Sequence, residues 1–238
     1  MIAMRAVEAL RQERPAVFVS LPRNDMALAR AAVEGGADGL KVHINLHHHA
    51  ANLRFGSWEE EADVIQSIMD LGLPVGIVPG TAEKMCTPED MLAMAAAGID
   101  FVDAYLHDMP AWMLNTETDI HIMGAASWRD IEPEGTLSGL ELLPQVRMVE
   151  ASVIPHDGYE EALNAADVRT YARLVALLRE SDIPVIVPTQ RTIAPSEVSA
   201  LHKVGVRGIL IGAIVTGKEP ETISQATEQF REATEALA

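Results

Sequence analysis

The sequence predicts an α/β protein whose fold class is a (β/α)8, or TIM, barrel with an extra N-terminal helix. Eight short apolar runs alternate with eight helical patterns, and such alternation requires crossover connections and a parallel sheet. The 238 residues match the size of this barrel, and we expect one domain over residues 1–238. An open doubly wound sheet is the alternative, but its Gly-x-Gly-x-x-Gly fingerprint is missing after the first run, where SLPRND stands.

Local sequence signals predict where the helices and strands lie along the chain. Residues 1–14 are the expected N-terminal helix, because Arg5 and Glu8 interrupt what would be the apolar region of a signal peptide. Later, Thr87 fits an N-cap and Pro88 the first helical position, where its missing N–H costs nothing. The expected strands are residues 16–20, 39–44, 74–78, 101–106, 119–124, 146–151, 184–188 and 208–213.

Two segments of the chain, residues 74–104 and 184–213, repeat one plan. Each has a strand that begins at proline, a helix start of the form Pro-x-acid, a glycine ten residues later, and a strand directly after it. The glycines, Gly98 and Gly205, suit helix ends because the left-handed closing conformation is cheapest for glycine. A repeat offset by four units indicates a barrel of two related halves and favours the closed barrel.

Composition and charge restrict the class of protein. With 48% apolar residues the chain can bury a large core, and its formal net charge of −17 argues against binding nucleic acid or an anionic membrane. No apolar run approaches the ~18 residues of a membrane span. The single cysteine, Cys86, excludes an internal disulfide and a cysteine-built zinc site. We therefore expect a cytoplasmic protein with no nucleic-acid or membrane partner.

Polar residues late in the strands are the candidates for chemistry, because barrel active sites lie at the C-terminal ends of the strands. Alternation with period two places side chains on the inner faces of strands two, four and six. The three sets are Lys41, His43 and Asn45; Asp103, Tyr105 and His107; and Glu150 with Ser152.

Lys41 needs an explanation, because a closed barrel has no edge from which a strand lysine can reach water. If Lys41 points inward it needs a partner such as Asp103 or Glu150, since an unpaired buried ammonium is expensive. A structural ion pair is the alternative to a catalytic role. The expected catalytic residues are Lys41, Glu150, Asp103 and His43, and the expected substrate-binding residues are Asn45, Arg54, Tyr105, His107 and Ser152.

The segments after strands seven and eight, VPTQRTIAPSE and LIGAIVTGKEPE, lie where many barrels bind phosphate. Backbone N–H groups of a glycine-rich turn and a short helix N-terminus supply such sites, and a side chain can add a contact. The expected phosphate-binding residues are Gln190, Arg191, Gly212, Ala213, Thr216 and Gly217. Ordinary loop composition is the alternative reading.

The histidine run at residues 47–49 suggests a metal site. Adjacent loop residues point in different directions, so two of the three at most, such as His47 and His49, could share an ion. No strand elsewhere offers an evident set of carboxylates and histidines to complete the shell. We expect no metal and no other cofactor, and keep a site at His47 and His49 as an alternative.

The stretch GVRGILIGAIVTGKEPETI resembles the closing segment of ribulose-phosphate-binding barrels, including N-acetylmannosamine-6-phosphate epimerase and thiamine-phosphate synthase. VEGGADGLKVHI is similar to the first helix-to-strand passage of this group, and HINLHHHAANLRFG to the second strand of ribulose-phosphate 3-epimerase. That epimerase's metal-binding histidine and aspartate would fall on Lys41 and His43, and VGIVPG lacks its third-strand histidine. PTQRT also replaces the usual glycine-rich segment after strand seven. The resemblance implies a phosphorylated small molecule as ligand.

These observations predict an enzyme that acts on a phosphorylated sugar or similar small phosphorylated metabolite, by isomerase- or epimerase-type proton transfer without metal. Glu150 would be the general base or acid, and Lys41 would stabilise an enolate or supply a proton. Asp103 would orient Lys41.

Three alternatives stay open. Lys41 could be the nucleophile of a Schiff-base aldolase or lyase, or His43, His47 and His49 could serve a metal-dependent hydrolase. The barrel could also bind a metabolite without catalysis. For that case the distance between Lys41 and Glu150 discriminates, because a substrate-sized gap favours catalysis and a closed salt bridge favours a structural pair. Trp58 and Trp112 leave a homo-oligomer open.

Overall fold

A computed structural model describes residues 5–48, 52–131, 140 and 143–238. Eight parallel strands form a closed barrel in which each strand pairs with its neighbours in the chain and the last pairs with the first. The predicted (β/α)8 barrel is therefore confirmed. The strands are β1 (Ala16–Ser20), β2 (Gly39–His43), β3 (Val75–Val78), β4 (Phe101–Tyr105), β5 (His121–Ala125), β6 (Val146–Glu150), β7 (Val185–Pro188) and β8 (Gly208–Ile211).

Helices surround the barrel. The α-helices in the described ranges are α1 (Ala6–Ala9), α2 (Met26–Glu34), α3 (Trp58–Met69), α4 (Pro88–Ala97), α5 (Trp128–Ile131), α6 (Ala165–Leu177), α7 (Val198–Lys203), α8 (Ala213–Thr216) and α9 (Pro220–Glu235). Short 3-10 helices lie at Ala111–Asn115, His156–Gly158, Arg179–Ser181 and Pro195–Glu197. Short antiparallel ribbons follow β2 (His47–His48 with Leu53–Arg54) and β3 (Gly80–Thr81 with Lys84–Met85). None of the helices in the described ranges has the length and apolar character of a membrane span.

The predicted helix at residues 1–14 is shorter in the structure, where α1 ends at Ala9 and residues 1–4 lie outside the described ranges. The helix ends early because two contacts hold the residues that follow it against the N-terminal end of the barrel. Leu10 is fully buried, 2.5 Å from where a Cβ on Gly208 would stand. Arg14 donates two hydrogen bonds to the Asp38 carboxylate, at 2.8 and 2.6 Å. These contacts close the N-terminal end of the barrel.

The helix boundaries expected from the sequence are present. The Asp90 amide donates to Thr87 Oγ1 at 3.1 Å, and the Thr87 amide donates to the Asp90 carboxylate at 2.9 Å, so α4 begins with a capping box. Gly98 and Gly205 have φ values of 100° and 96°, in the left-handed region that favours glycine. The repeated plan of residues 74–104 and 184–213 is therefore visible in the folded chain.

Apolar side chains fill the lower half of the barrel interior, which is the half nearer the N-terminal ends of the strands. The upper half is the one nearer their C-terminal ends. Phe18 and Phe101 are fully buried there, with ring centroids 6.1 Å apart. Their rings occupy the space beside two glycines of neighbouring strands, since a Cβ on Gly76 would stand 2.0 Å from the Phe101 ring and one on Gly39 3.0 Å from Phe18. These two positions therefore require glycine, because the aromatic rings fill the space that any side chain there would occupy.

Strand β2 has the orientation that the candidate site requires. Leu40, Val42 and Ile44 are fully buried in the cluster between the barrel wall and the helices. The alternating residues Lys41 and His43 therefore face the barrel interior, where both line a cavity.

Candidate active site

A cavity of about 280 Å³ opens at the C-terminal ends of the strands. Its wall includes polar side chains from four strands, β1, β2, β4 and β6, and from loops at the same end of the barrel, in the place where barrel enzymes build active sites. The lining residues that carry the argument below are Ser20, Lys41, His43, Asp103, Tyr105, Glu150, Ser152, Tyr159, Gln190, Gly212, Ala213 and Ile214.

A buried ion cluster forms one part of this wall. Lys41 Nζ lies 2.6 Å from Asp103 Oδ2 and 2.6 Å from Glu150 Oε2, and donates a hydrogen bond to each. The three side chains are only 8%, 3% and 7% exposed. Strands β2, β4 and β6 thus bring together the three residues that the alternation of the sequence placed on inner faces.

Lys41 is held as an ammonium ion. Burial by itself lowers the pKa of Lys41, but the charges of Asp103 and Glu150 and their hydrogen bonds outweigh burial and raise it above its ordinary value. An ammonium has three N–H donors, and two of them go to these carboxyl groups. One donor of Lys41 is therefore left for a ligand at the cavity wall.

The two carboxyl groups titrate in opposite directions. Burial and the neighbouring charge of Glu150 raise the pKa of Asp103 well above its ordinary value. Burial acts on Glu150 in the same sense, but Lys41 and hydrogen bonds outweigh it and lower the pKa of Glu150 to about 2. The pair therefore consists of an ionised Glu150 and a carboxyl group at Asp103 that holds a proton more readily. Asp103 Oδ1 is buried and has no hydrogen-bond partner within the described residues.

Hydroxyl and amide groups line the wall next to Glu150. The Ser152 hydroxyl donates a short hydrogen bond to Glu150 Oε1. Tyr105 and Tyr159 also line this part of the wall, where burial raises the pKa of both hydroxyl groups. Gln190 Nε2 donates to the Tyr159 hydroxyl at 2.7 Å. Ser152, Tyr105 and Gln190 thus lie where the sequence placed them, in contact with the cavity.

His43 lies on the β1 side of the cavity. Its Nε2 is 3.4 Å from Ser20 Oγ, and its ring lies 4.8 Å from the Phe55 ring, measured between centroids. Asn24 holds the end of β2 in place, because its side chain accepts from the His43 amide at 3.2 Å and donates to the His43 carbonyl at 2.8 Å.

The start of α8 and the end of β8 form another part of the wall. Gly212, Ala213 and Ile214 line the cavity, and the first amides of a helix have no intrahelical acceptor. The Gly212 amide is already used, since it donates to Thr189 Oγ1 at 2.9 Å.

Three residues expected to bind phosphate do not line the cavity. Arg191 is turned away because its guanidinium donates to Asp167 at 2.9 Å, to Glu161 and to the Gly158 carbonyl. Thr216 is buried with its hydroxyl donating to the Gly217 carbonyl at 3.0 Å, and Gly217, with a φ of 65°, ends α8. These roles are structural in the fold as it stands.

Three residues expected to bind substrate also lie off the cavity wall. For Asn45 and His107 the reason is that β2 and β4 end at His43 and Tyr105, where the alternation stops. Asn45 has a left-handed φ of 58°, and its side chain donates to the Pro79 carbonyl at 3.3 Å. His107 stacks on Tyr105 with centroids 5.2 Å apart, and Arg54 is exposed on the ribbon after β2.

The histidine run reaches the cavity. His47 lines it, while His49 lies outside the described residues. Within the described part of the chain, no group of three or more histidine, cysteine, aspartate or glutamate side chains is arranged to hold a metal ion.

Some lining residues were missed from the sequence. Ser20 could have been found, because it follows Phe18 at the period of two that places both on the inner face of β1. Tyr159, His156 and Thr189 lie in loops, where no periodicity reports direction.

The distance between Lys41 and Glu150, which discriminates a structural ion pair from an open site, is short. Lys41 and Glu150 form a closed salt bridge, and the cavity lies beside the pair rather than between its members. This closure is the outcome that favours a structural role. Two observations favour a functional role instead. A second carboxyl group, Asp103, joins the pair, and all three side chains line the cavity, whereas a simple structural pair requires neither.

Comparisons with known proteins agree with the fold. No family model and no curated protein matches the chain. It is similar to the A-subunit of tryptophan synthase from Pyrococcus furiosus, with a TM-score of 0.70 at 13% identity over 92% of this chain and 98% of that chain. For phosphoribosyl anthranilate isomerase from Thermus thermophilus the TM-score is 0.62 and the identity 14%, over 94% of this chain and 100% of that chain. For thiamine phosphate pyrophosphorylase from Pyrococcus furiosus the TM-score is 0.58 and the identity 16%, over 94% of this chain and 98% of that chain. At identities of 13–16% these similarities show the fold alone, and they agree with the barrel that the sequence predicted.

Proposed function

We propose that this protein is an enzyme that transfers a proton at a carbon next to a carbonyl group, in a phosphorylated sugar or a similar small phosphorylated metabolite. The observation that carries the proposal is the cluster of Lys41, Asp103 and Glu150 on the cavity wall, in which one ammonium faces two carboxyl groups of opposite pKa shift. Carboxyl groups whose surroundings separate their pKa values are the usual form of an acid–base pair.

Each member of the cluster has a role in this reaction. Glu150, ionised, takes the proton from the carbon; the electron pair of that C–H bond forms a C=C bond, and the π pair of the carbonyl group moves to its oxygen to give an enolate. Lys41 donates its remaining N–H to the developing enolate oxygen, which lowers the barrier electrostatically. Asp103 supplies a proton to that oxygen or removes one from a neighbouring hydroxyl group. Delivery of a proton to the opposite face of the same carbon completes epimerisation, and delivery to the adjacent carbon completes isomerisation.

The phosphate group would lie at the start of α8. Ala213 and Ile214 line this part of the cavity, the first amides of a helix have no intrahelical acceptor, and helix N-termini attract anions. Gln190, also on the wall, is a further candidate contact, while Arg191 is committed to Asp167 and Glu161. The names of two structural neighbours support a phosphorylated ligand in general, because one names a phosphate and the other a phosphoribosyl compound.

The test is hydrogen exchange with solvent. The protein is incubated in D2O with a panel of aldose and ketose phosphates, and deuterium at the carbon next to the carbonyl is followed by NMR. We expect incorporation with at least one compound, and its loss in Glu150→Gln. A panel in which no compound exchanges faster than with Glu150→Gln would contradict the proposal.

A Schiff-base aldolase requires a neutral Lys41, and the two carboxyl groups hold this amine as an ammonium ion. Borohydride reduction in the presence of the same panel separates the two reactions. A stable adduct on Lys41, located by peptide mass spectrometry, would favour the aldolase. The cytoplasmic location and self-association stay predictions.

A further inference from the structure

The segment between β6 and α6, residues 151–164, is called the β6 loop below, and backbone hydrogen bonds attach it to the segment that follows β7. The Glu160 amide donates to the Gln190 carbonyl at 3.0 Å. The Thr192 amide donates to the Glu161 carbonyl at 2.8 Å, and the Thr192 hydroxyl donates to the Glu160 carbonyl at 2.8 Å. The β6 loop is therefore held at one side of the cavity by its neighbour in the barrel.

Arg191 joins the β6 loop to the helix after it. Its guanidinium forms a fork on the Asp167 carboxylate, in the first turn of α6, at 2.9 and 3.2 Å. Its Nη1 also donates to the Gly158 carbonyl and to the Glu161 carboxylate. The Arg191 and Asp167 side chains are only 11% and 9% exposed, so little water competes for the fork. One arginine thus links the middle of the loop to α6.

Gln190 binds the ring that the β6 loop brings to the cavity, Tyr159. Gln190 Oε1 accepts from the backbone amide of Ile154 at 3.1 Å. A backbone N–H can only donate, so the other end of the side-chain amide, Nε2, faces Tyr159 and donates to its hydroxyl at 2.7 Å. Gln190 and Tyr159 both line the cavity. The side chain of Tyr159 is therefore located by a residue of the next loop.

Glu160 is the strained point of the β6 loop. Its φ of 66° lies in the left-handed region, which a residue with a side chain adopts rarely and only where surrounding contacts hold it. Tyr159 comes directly before this turn, in the cavity wall, and Glu161 comes directly after it, bound to Arg191. Loss of the contacts on either side would let the backbone at Glu160 relax and carry Tyr159 with it.

We propose that Arg191 is a positioning residue that acts on the cavity through the β6 loop and determines where Tyr159 lies in the wall. Arg191 itself does not line the cavity, so it acts through the Gly158 carbonyl and Glu161, which flank Tyr159. The catalytic meaning of this role rests on the proposed function, because Tyr159 shares the wall with Glu150. The position of the ring does not depend on any reaction and can be measured on the free protein.

Fluorine NMR of the protein labelled with 3-fluorotyrosine tests the proposal. The chain has three tyrosines, Tyr105, Tyr159 and Tyr171, so each signal can be assigned from its Tyr→Phe variant. In Arg191→Ala we expect the Tyr159 signal to move furthest of the three, towards that of solvent-exposed 3-fluorotyrosine. An unchanged Tyr159 signal would overturn the proposal. If Arg191→Ala does not fold, as judged by circular dichroism, Arg191→Lys, which keeps the charge but not the fork, decides by the same criterion.

Chemical rescue separates the fork from the charge. Methylguanidine at millimolar concentration can occupy the space of the missing group in Arg191→Ala, and we expect it to return the Tyr159 signal towards its wild-type position. Methylamine has the same charge but cannot bind a carboxylate with two parallel N–H groups, so it should not. Equal rescue by both compounds, or by neither, would overturn the role given to the fork.

Arg14→Ala is the matched control. The Arg14 guanidinium also forms a fork on a largely buried carboxylate, Asp38, at 2.8 and 2.6 Å, but at the N-terminal end of the barrel. We expect the Tyr159 signal to stay unchanged in this variant. A shift equal to that in Arg191→Ala would show a general loosening of the fold and contradict the proposal.

Deuterium exchange gives the catalytic readout, with the compound of the panel that exchanges in wild type. We expect the rate at saturating substrate to fall by about 10- to 100-fold in Arg191→Ala and to recover in part with methylguanidine, since small displacements of positioned groups have effects of this size. Absence of exchange in wild type, together with the expected fluorine shift, would reject only the proposed reaction. Exchange in wild type with an unchanged Tyr159 signal in Arg191→Ala would reject only the role of Arg191.

Discussion

The lower and upper halves of the barrel interior are built from the same strands but follow opposite rules. On β4, Phe101 fills the lower half and Asp103, two residues later, faces the cavity. On β6 the same spacing separates Met148 from Glu150. Period-two alternation puts both members of each pair on the inner face. Height along a strand therefore separates apolar packing, which stabilises the fold, from a polar cluster, which costs stability and can do chemistry.

Phe101→Ala tests the lower half and should have the largest effect. The ring is fully buried and fills the space beside Gly76, so truncation leaves a cavity that the strand cannot close. We expect the free energy of unfolding to fall by about 3–5 kcal/mol. Urea denaturation measures it, and a loss below about 1 kcal/mol would show that the lower half is not close-packed.

Lys41→Met tests the upper half. It leaves two buried carboxyl groups without their cation, and breaking a buried ion pair in this way costs about 3–5 kcal/mol. We place the loss near the lower value, because the carboxyl groups can bind protons instead. Without Lys41 both folded-state pKa values rise above the unfolded values, so their contribution is retained at low pH and lost as pH rises. The loss relative to wild type should therefore grow from pH 4 to pH 8 in urea titrations, and a constant difference would contradict the cluster.

Gly76→Ala sharpens the account of the lower half. The added Cβ would stand 2.0 Å from the Phe101 ring, and overpacking of this kind costs about 1–3 kcal/mol. The double variant Gly76→Ala, Phe101→Leu should recover part of that loss, because the two positions share one space. Strict additivity in a double-mutant cycle would break the proposed coupling.

Replacing the whole ion cluster should have the smallest effect on stability, with the opposite sign. In the triple variant Lys41→Met, Asp103→Leu, Glu150→Leu no buried charge remains unpaired, and such replacements are neutral or stabilising. We expect the free energy of unfolding to be unchanged or raised by about 1 kcal/mol, with deuterium exchange abolished. Glu228→Gln, on the exposed face of α9, is the control for both readouts. A triple variant less stable than Lys41→Met would show that the cluster is structural.

The alternation of apolar residues predicted much of this site, and its failures have one physical cause. It located Lys41, Asp103 and Glu150 because these residues lie within strands, where direction follows residue parity. It failed for Asn45 and His107, which lie beyond the last paired residues His43 and Tyr105. A left-handed φ at Asn45 is enough to end the alternation.

Residues in loops depend on partners far along the chain. Arg191 was expected to bind phosphate, but Asp167 and Glu161, 24 and 30 residues away, hold its guanidinium. Tyr159 lies in the cavity wall, where its hydroxyl accepts a hydrogen bond from Gln190, 31 residues away along the chain. No local pattern reports contacts of this length, because loop direction is set by tertiary hydrogen bonds.

The sequence by itself determined the barrel, the inner faces of its strands and the need for a partner to Lys41, because strand periodicity and the cost of a buried charge are local properties. Only the tertiary structure decided that this partner is two carboxyl groups at once, at 2.6 Å each. Charge sharing depends on distances between three strands, and those distances exist only in the closed barrel.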